Sequence, residues 1–243
     1  VDMLDGTFNF RDVGGLPAGE GRVRRGVLYR SDALGGLTAA GLEMFARTPI
    51  GTVVDLRTQE EVDQRPDRLP GSREIELVHL PLLEGMARDA ATRVPTLPGL
   101  YRQMAAHAGG TFARIAQYLT AEVDGRPEAV LVHCTAGKDR TGIAVAVLLD
   151  AAGADRDAIL EDYASSGPNL AGEWAESMFA RVRAMGVEVT PELEVLLAGS
   201  PVDAIDEALG WIDRERGGSA AYLAASGLSE PALETLRARL IDS

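Results

Sequence analysis

The stretch Ala129-Val130-Leu131-Val132, followed by His133-Cys134-Thr135-Ala136-Gly137-Lys138-Asp139-Arg140-Thr141-Gly142 and then the apolar run Ile143 to Ala152, decides how the chain is read. Four apolar residues before a polar, glycine-containing turn predict a short buried strand. The run behind the turn predicts a helix from Thr141 to Ala152. Cys134 and Arg140, with five residues between them, therefore sit where a strand ends and a helix begins. At a helix N-terminus several backbone N–H groups lack internal partners. If the turn curls into a nest, the amides of Thr135, Ala136, Gly137, Lys138, Asp139 and Arg140 converge on one point, and the helix dipole adds positive potential there. Such a nest would hold a phosphate above the Cys134 sulfur and would favour thiolate over thiol. Arg140 supplies a planar fork for two phosphate oxygens. Thr141 has a hydroxyl placed to donate to the sulfur, and His133 is read as orienting the loop by hydrogen bonds.

Outward from this loop, strands and helices alternate. Val27-Leu28-Tyr29, Thr52 to Leu56 and Glu74 to Leu80 read as strands. Thr38 reads as the N-cap of a helix through Arg47. Thr58, with Glu61 three residues on, reads as a capping box. Together they predict an α/β fold: a central, mostly parallel sheet flanked by helices. Glu84 to Gly110, with Pro95, Pro98 and a helix from Leu100 to Ala106, reads either as a helical lid over the site or as a surface insertion. From about 155 to 243 the pattern is helical: Asp155–Ser165, Ala171–Met185, Pro201–Arg216, Ser219–Ala225 and Ser229–Ile241. Residues 1–243 are expected to form one domain.

The totals narrow the function. Twenty-four basic against 37 acidic residues leave a net charge of -13, which would repel nucleic acid and anionic membranes. A phosphate site must therefore be made locally. Cys134 is the only cysteine, so neither an internal disulfide nor a cysteine-rich zinc site is expected. No metal or other cofactor is called for. The start, Val1 to Phe10, has no signal-like pattern, and no apolar run is long enough to span a bilayer, so the cytoplasm is the default location, with export lacking such a signal left open.

The loop resembles that of the cysteine-dependent protein tyrosine phosphatases. More narrowly, it is similar to the bacterial atypical phosphatases of the mycobacterial tyrosine phosphatase B type. Further matches are Asn9 to Gly15, Arg25 to Asp32, Val54-Asp55-Leu56-Arg57, and Asp162-Tyr163 with Ser165. The resemblance implies a phosphocysteine intermediate on Cys134 and no metal. It implies activity on phosphotyrosine, with phosphoserine/threonine and phosphoinositides as further substrates and phosphate or vanadate as ligands. Lys138 would then be a second cation for an extra or inositol-ring phosphate. Trp174 and Trp211 lack a following Pro-Asp, so the general acid must come from elsewhere. Asp139 is the first candidate, as the resemblance suggests for this subgroup. Asp55, at the end of a parallel strand, is the second, against a structural carboxylate bonding Arg57. Arg11 and Asp12 are read as an ion pair bracing the site, and Gly14-Gly15 as a turn. Two other functions are weighed: a phosphate-binding pseudophosphatase module, and a rhodanese-like sulfurtransferase, against which Arg140-Thr141 argues.

Overall fold

A computed structural model describes residues 3–82, 96–123 and 126–242. Its centre is a five-stranded sheet in the order β1-β4-β9-β5-β6. The strands are β1 (Arg11–Asp12), β4 (Leu28–Ser31), β5 (Ile50–Asp55), β6 (Glu76–His79) and β9 (Ala129–His133), numbered along the chain. All neighbours are parallel except β1, which runs antiparallel to β4. The remaining strands are short: β2 (Pro17–Ala18), β3 (Gly21–Val23), β7 (Glu122–Val123), β8 (Arg126–Pro127) and β10 (Ile241–Asp242). β10, at the end of the described chain, pairs with β3, placing Ile241 opposite Val23.

The position of β9 follows from its composition. All five residues are buried, as a central parallel strand covered on both faces requires. Val130 and Val132 face one cluster, with Val54, Leu28 and the helical layer. Ala129 and Leu131 face the other, with Tyr29, Val53, Leu34 and Phe45. This is the period-two alternation of a strand. The register brings Ser31, Asp55 and His133 side by side at the carboxyl ends of β4, β5 and β9, where the loop leaves the sheet.

The helices are α1 (Ala39–Ala46), α2 (Gln59–Gln64), α3 (Leu97–His107), α4 (Gly109–Thr120), α5 (Asp139–Ala152), α6 (Arg156–Ala164), α7 (Ser166–Leu170), α8 (Glu173–Ala184), α9 (Pro191–Ala198), α10 (Val202–Arg216), α11 (Ser219–Ala225) and α12 (Glu230–Leu240). Thr38 caps α1 by accepting from the Gly41 amide. Thr58 and Glu61 form the expected reciprocal capping box on α2. α5 is buried nearly throughout, with helices packed around it, and ends at Gly153 in the left-handed conformation (φ +103°).

The segment read as a lid divides in two. Residues 83–95 lie outside the described residues. The rest forms α3, longer than the sequence suggests, with Leu97, Tyr101, Met104 and Ala105 buried in the main core. This part is a core helix, neither a loose cover nor a surface appendage. α9 is absent from the sequence reading, although Thr190, which accepts from the Leu193 amide, and Pro191 mark its start.

Candidate active site

The loop between β9 and α5 is drawn into shape by its carbonyls. Asn9 Nδ2 donates to the carbonyls of Ala136 (3.0 Å) and Gly137 (3.1 Å). Arg30 donates to the Gly137 carbonyl at 2.8 Å, and the Ala33 amide donates to that of Thr135 at 3.2 Å. Pulling the carbonyls outward leaves the amides on the inner side. Among the described residues, the N–H groups of Thr135, Ala136, Gly137 and Lys138 donate to no protein atom. Unpaired amides in a turn leading to a helix N-terminus make an anion site. Gly137 is obligatory in it: its φ is +65°, and a Cβ would lie 2.2 Å from the Ser31 carbonyl oxygen. Cys134, 2% exposed, forms one end of the loop beside this nest.

The brace behind the loop comes from distant parts of the chain. Asp162 on α6 takes Arg11 Nε at 2.7 Å and Arg30 at 2.6 Å. Burial opposes ionisation of Asp162, but the two guanidiniums outweigh it and hold its carboxyl below the usual range. Arg11 also donates to Asn9 Oδ1 and to Ser166 Oγ. The expected Arg11–Asp12 pair does not form. Asp12 instead accepts from the amides of Gly14 and Gly26, fixing the turn that Gly14-Gly15 makes.

Arg140 is gripped end-on by Glu61, at 2.6 and 2.7 Å. Glu61 also accepts from the Thr135 hydroxyl and, within its capping box, from the Thr58 amide. Burial pushes the Glu61 carboxyl up, but its bonds and charge attraction to Arg140, with help from Thr135 and Thr58, bring it down to about 2. For Arg140, burial works against the charge, and the bonds it donates to Glu61, with the charges of Cys134, Glu61 and Asp139, reverse the balance and raise its pKa. Glu61 is the site residue that sequence reasoning missed. Its only signal was its place in the capping box.

The two candidate acids are held differently. Asp55 is 3% exposed at its side chain and is bound by Arg57 through the amide, Nε and a terminal nitrogen at 2.7 Å. It belongs to a buried cluster with Asp67, which lies 2.8 Å from Arg57 and 3.1 Å from His133 Nε2. Burial lowers the His133 pKa, but the carboxylates of Asp67, 3.1 Å away, and Asp55 outweigh it, so the imidazole is pushed above its ordinary value. The other ring nitrogen, Nδ1, faces the Cys134 carbonyl at 3.3 Å. Asp55, Asp67 and His133 are close enough to suggest metal ligands, but the Arg57 guanidinium already bridges both carboxylates and is the cation there.

Asp139, the first residue of α5, is 23% exposed. Among the described residues only its Oδ1 is engaged, by the Tyr101 hydroxyl at 2.9 Å and Lys138 Nζ at 3.0 Å. Lys138 is fully buried, with its ammonium on the carbonyls of Leu196 (3.0 Å) and Gly199 (2.7 Å) at the end of α9. Its ammonium is thus directed to these carbonyls and to Asp139. The Thr141 hydroxyl is buried and has no partner among the described residues.

A sheet that delivers a cysteine to a loop whose amides have no partners among the described residues, with an arginine at the start of the following helix, matches a phosphatase of the cysteine-dependent kind. The chain belongs to the tyrosine phosphatase family, whose model matches residues 3–242. It is similar to the triple specificity protein phosphatase PtpB of Mycobacterium tuberculosis, 31% identical across 99% of both chains. A putative tyrosine-protein phosphatase of Cupriavidus necator is 36% identical over 86% of this chain and 80% of that one. A tyrosine-protein phosphatase of Nostoc commune is 31% identical over 87% and 73%. Among solved structures, P. aeruginosa TpbA in complex with pTyr is a far more distant likeness: 16% identity and a TM-score of 0.43 over 86% of this chain and 91% of that one. Family membership sets aside the rhodanese-like reading. No helix among the described residues is long and apolar enough to cross a membrane.

Proposed function

We propose that the protein hydrolyses phosphotyrosine through a phosphocysteine on Cys134, working as a single domain. Cys134 Sγ attacks phosphorus while the equatorial oxygens take hydrogen bonds from the amides of residues 135–140 and from Arg140. As the P–O bond breaks, Asp139 gives its proton to the leaving phenolate oxygen. Water then attacks the phosphocysteine, Asp139 takes its proton, and the sulfur leaves with the Thr141 hydroxyl donating to it. Positioning and charge neutralisation carry such a reaction without a metal.

The observation that carries this reading is the set of amides without protein partners beside Cys134. The unpartnered Thr141 hydroxyl supports its donation to sulfur. The solvent access of Asp139, against the enclosure of Asp55, supports Asp139 as the acid, with Asp55 a brace. The name of the mycobacterial relative speaks for substrates beyond phosphotyrosine. The engagement of Lys138 by α9 speaks against a role for it with phosphoinositides. The protein should hydrolyse p-nitrophenyl phosphate and phosphotyrosyl peptides, be inhibited by vanadate, and lose all turnover in Cys134→Ser. A protein that binds vanadate yet turns over no phosphomonoester is the pseudophosphatase instead. Turnover surviving in Cys134→Ser excludes the mechanism.

A further inference from the structure

Two buried tyrosines stand behind Asp139 and are used by nothing in the scheme above. Tyr101, on α3, is fully buried and donates to Asp139 Oδ1 at 2.9 Å. A hydroxyl has one hydrogen. With that hydrogen on Asp139, Tyr101 must accept at its oxygen from the Tyr163 hydroxyl, 2.8 Å away. The two rings meet edge to face, with centroids 5.9 Å apart. Tyr163 in turn rests on α5 over Gly142, where a Cβ would come within 2.9 Å of the ring. The next residue back, Asp162, ties Arg30 and Arg11. One turn of α6 thus serves both the loop brace and the tyrosine pair.

Resting on the reading of Asp139 as the acid, we propose that Tyr101, seconded by Tyr163, is its positioning residue. With Oδ1 taken by Tyr101 and Lys138, and Oδ2 engaged by nothing among the described residues, the transferable proton is confined to Oδ2. The carboxyl plane is fixed about a rigid, core-packed phenol and does not drift on an exposed side chain. Burial, with the charge of Asp139 and contact with Tyr163, raises the Tyr101 pKa well above ordinary, so it remains a donor throughout the working range.

The test is the dependence of kcat/KM on leaving-group basicity across aryl phosphates, with vanadate affinity and melting temperature measured alongside. A positioned acid supplies ~10²–10⁴-fold. Tyr101→Phe, which keeps the ring, should cost roughly tenfold on phenyl phosphate, a fraction of that range, with little change on p-nitrophenyl phosphate or in vanadate affinity. In an Asp139→Asn background it should steepen the dependence no further. Equal losses on both substrates, a parallel loss of vanadate affinity, or an effect that persists without Asp139 would assign Tyr101 to architecture and overturn the inference. If Asp139→Asn alone leaves the leaving-group dependence unchanged, the assignment of the acid fails first, and the inference with it. Tyr163→Phe should show the same selectivity at smaller size, and gives the same decision where Tyr101→Phe melts too early to assay; a Tyr163→Phe enzyme with unaltered selectivity would then overturn it.

Discussion

Asp55 and Asp139 are both carboxylates beside the same loop, and they are held in opposite ways. Asp55 ends a central strand and has both oxygens bound by one guanidinium. Asp139 begins a helix and has one oxygen bound and the other without a protein partner among the described residues. A carboxylate with both oxygens on a buried guanidinium has no free oxygen to turn toward a leaving group, and removing it would strand the arginine. A carboxylate held by one edge keeps its other oxygen open toward the loop. The contrast teaches that distance from the loop does not select an acid, whereas an unoccupied oxygen does.

The comparison breaks most sharply by substitution. Asp139→Asn should lower kcat/KM for phenyl phosphate by about 10²–10⁴, with a much smaller loss on p-nitrophenyl phosphate. Asp55→Asn should leave the ratio between those substrates unchanged and instead cost about 3 kcal/mol in urea unfolding, since Arg57 loses a buried partner. The opposite pattern would exchange the two roles. Glu61→Gln sharpens a related point. Removing the charge behind a partly exposed Arg140 should raise KM roughly fivefold, ~1 kcal/mol, with vanadate affinity falling in step. An unchanged KM would mean that the loop holds Arg140 without Glu61.

A smaller effect concerns pH. His133 is raised in the fold chiefly by Asp67, against burial. Its contribution to stability is therefore complete below its unfolded value, about 6.5, and is lost as pH rises through the higher folded value. As pH rises above about 6.5, the melting temperature should fall more steeply in the native protein than in Asp67→Asn. Equal slopes would remove His133 and Asp67 from the account. Glu61 has the reverse sign: lowered to about 2, it contributes above its unfolded value near 4.5 and fails only as pH falls toward 2. The Arg140 grip should therefore persist at mildly acid pH.

What the sequence discloses about this site is its local half. The strand, the loop and α5 were legible because one apolar run, one glycine and one arginine at short spacing specify them. The capping box of Thr58 and Glu61 was equally local. Contacts across long separations were not legible: Arg11 meets Asp162 151 positions away, and Thr135 meets Glu61 74 away. The expected Arg11–Asp12 pair failed for a simple reason. Neighbours on a strand point to opposite faces, so Arg11 goes to the loop brace and Asp12 to the turn. The placement of Lys138 was not legible because α9 was not recognised: its ammonium meets the Leu196 and Gly199 carbonyls at the end of that helix.

The braces at Asn9, Arg30 and Ala33, with Asp162 behind two of them, carry a practical consequence for anyone hoping to borrow this chemistry. The ten letters from His133 to Gly142, grafted between a strand and a helix of some other scaffold, would arrive without the outside hands that turn their carbonyls away. Their amides would then have no reason to point inward. A transplant would have to bring four separated stretches of chain, and a peptide copy of the loop should bind oxyanions no better than any other basic decamer.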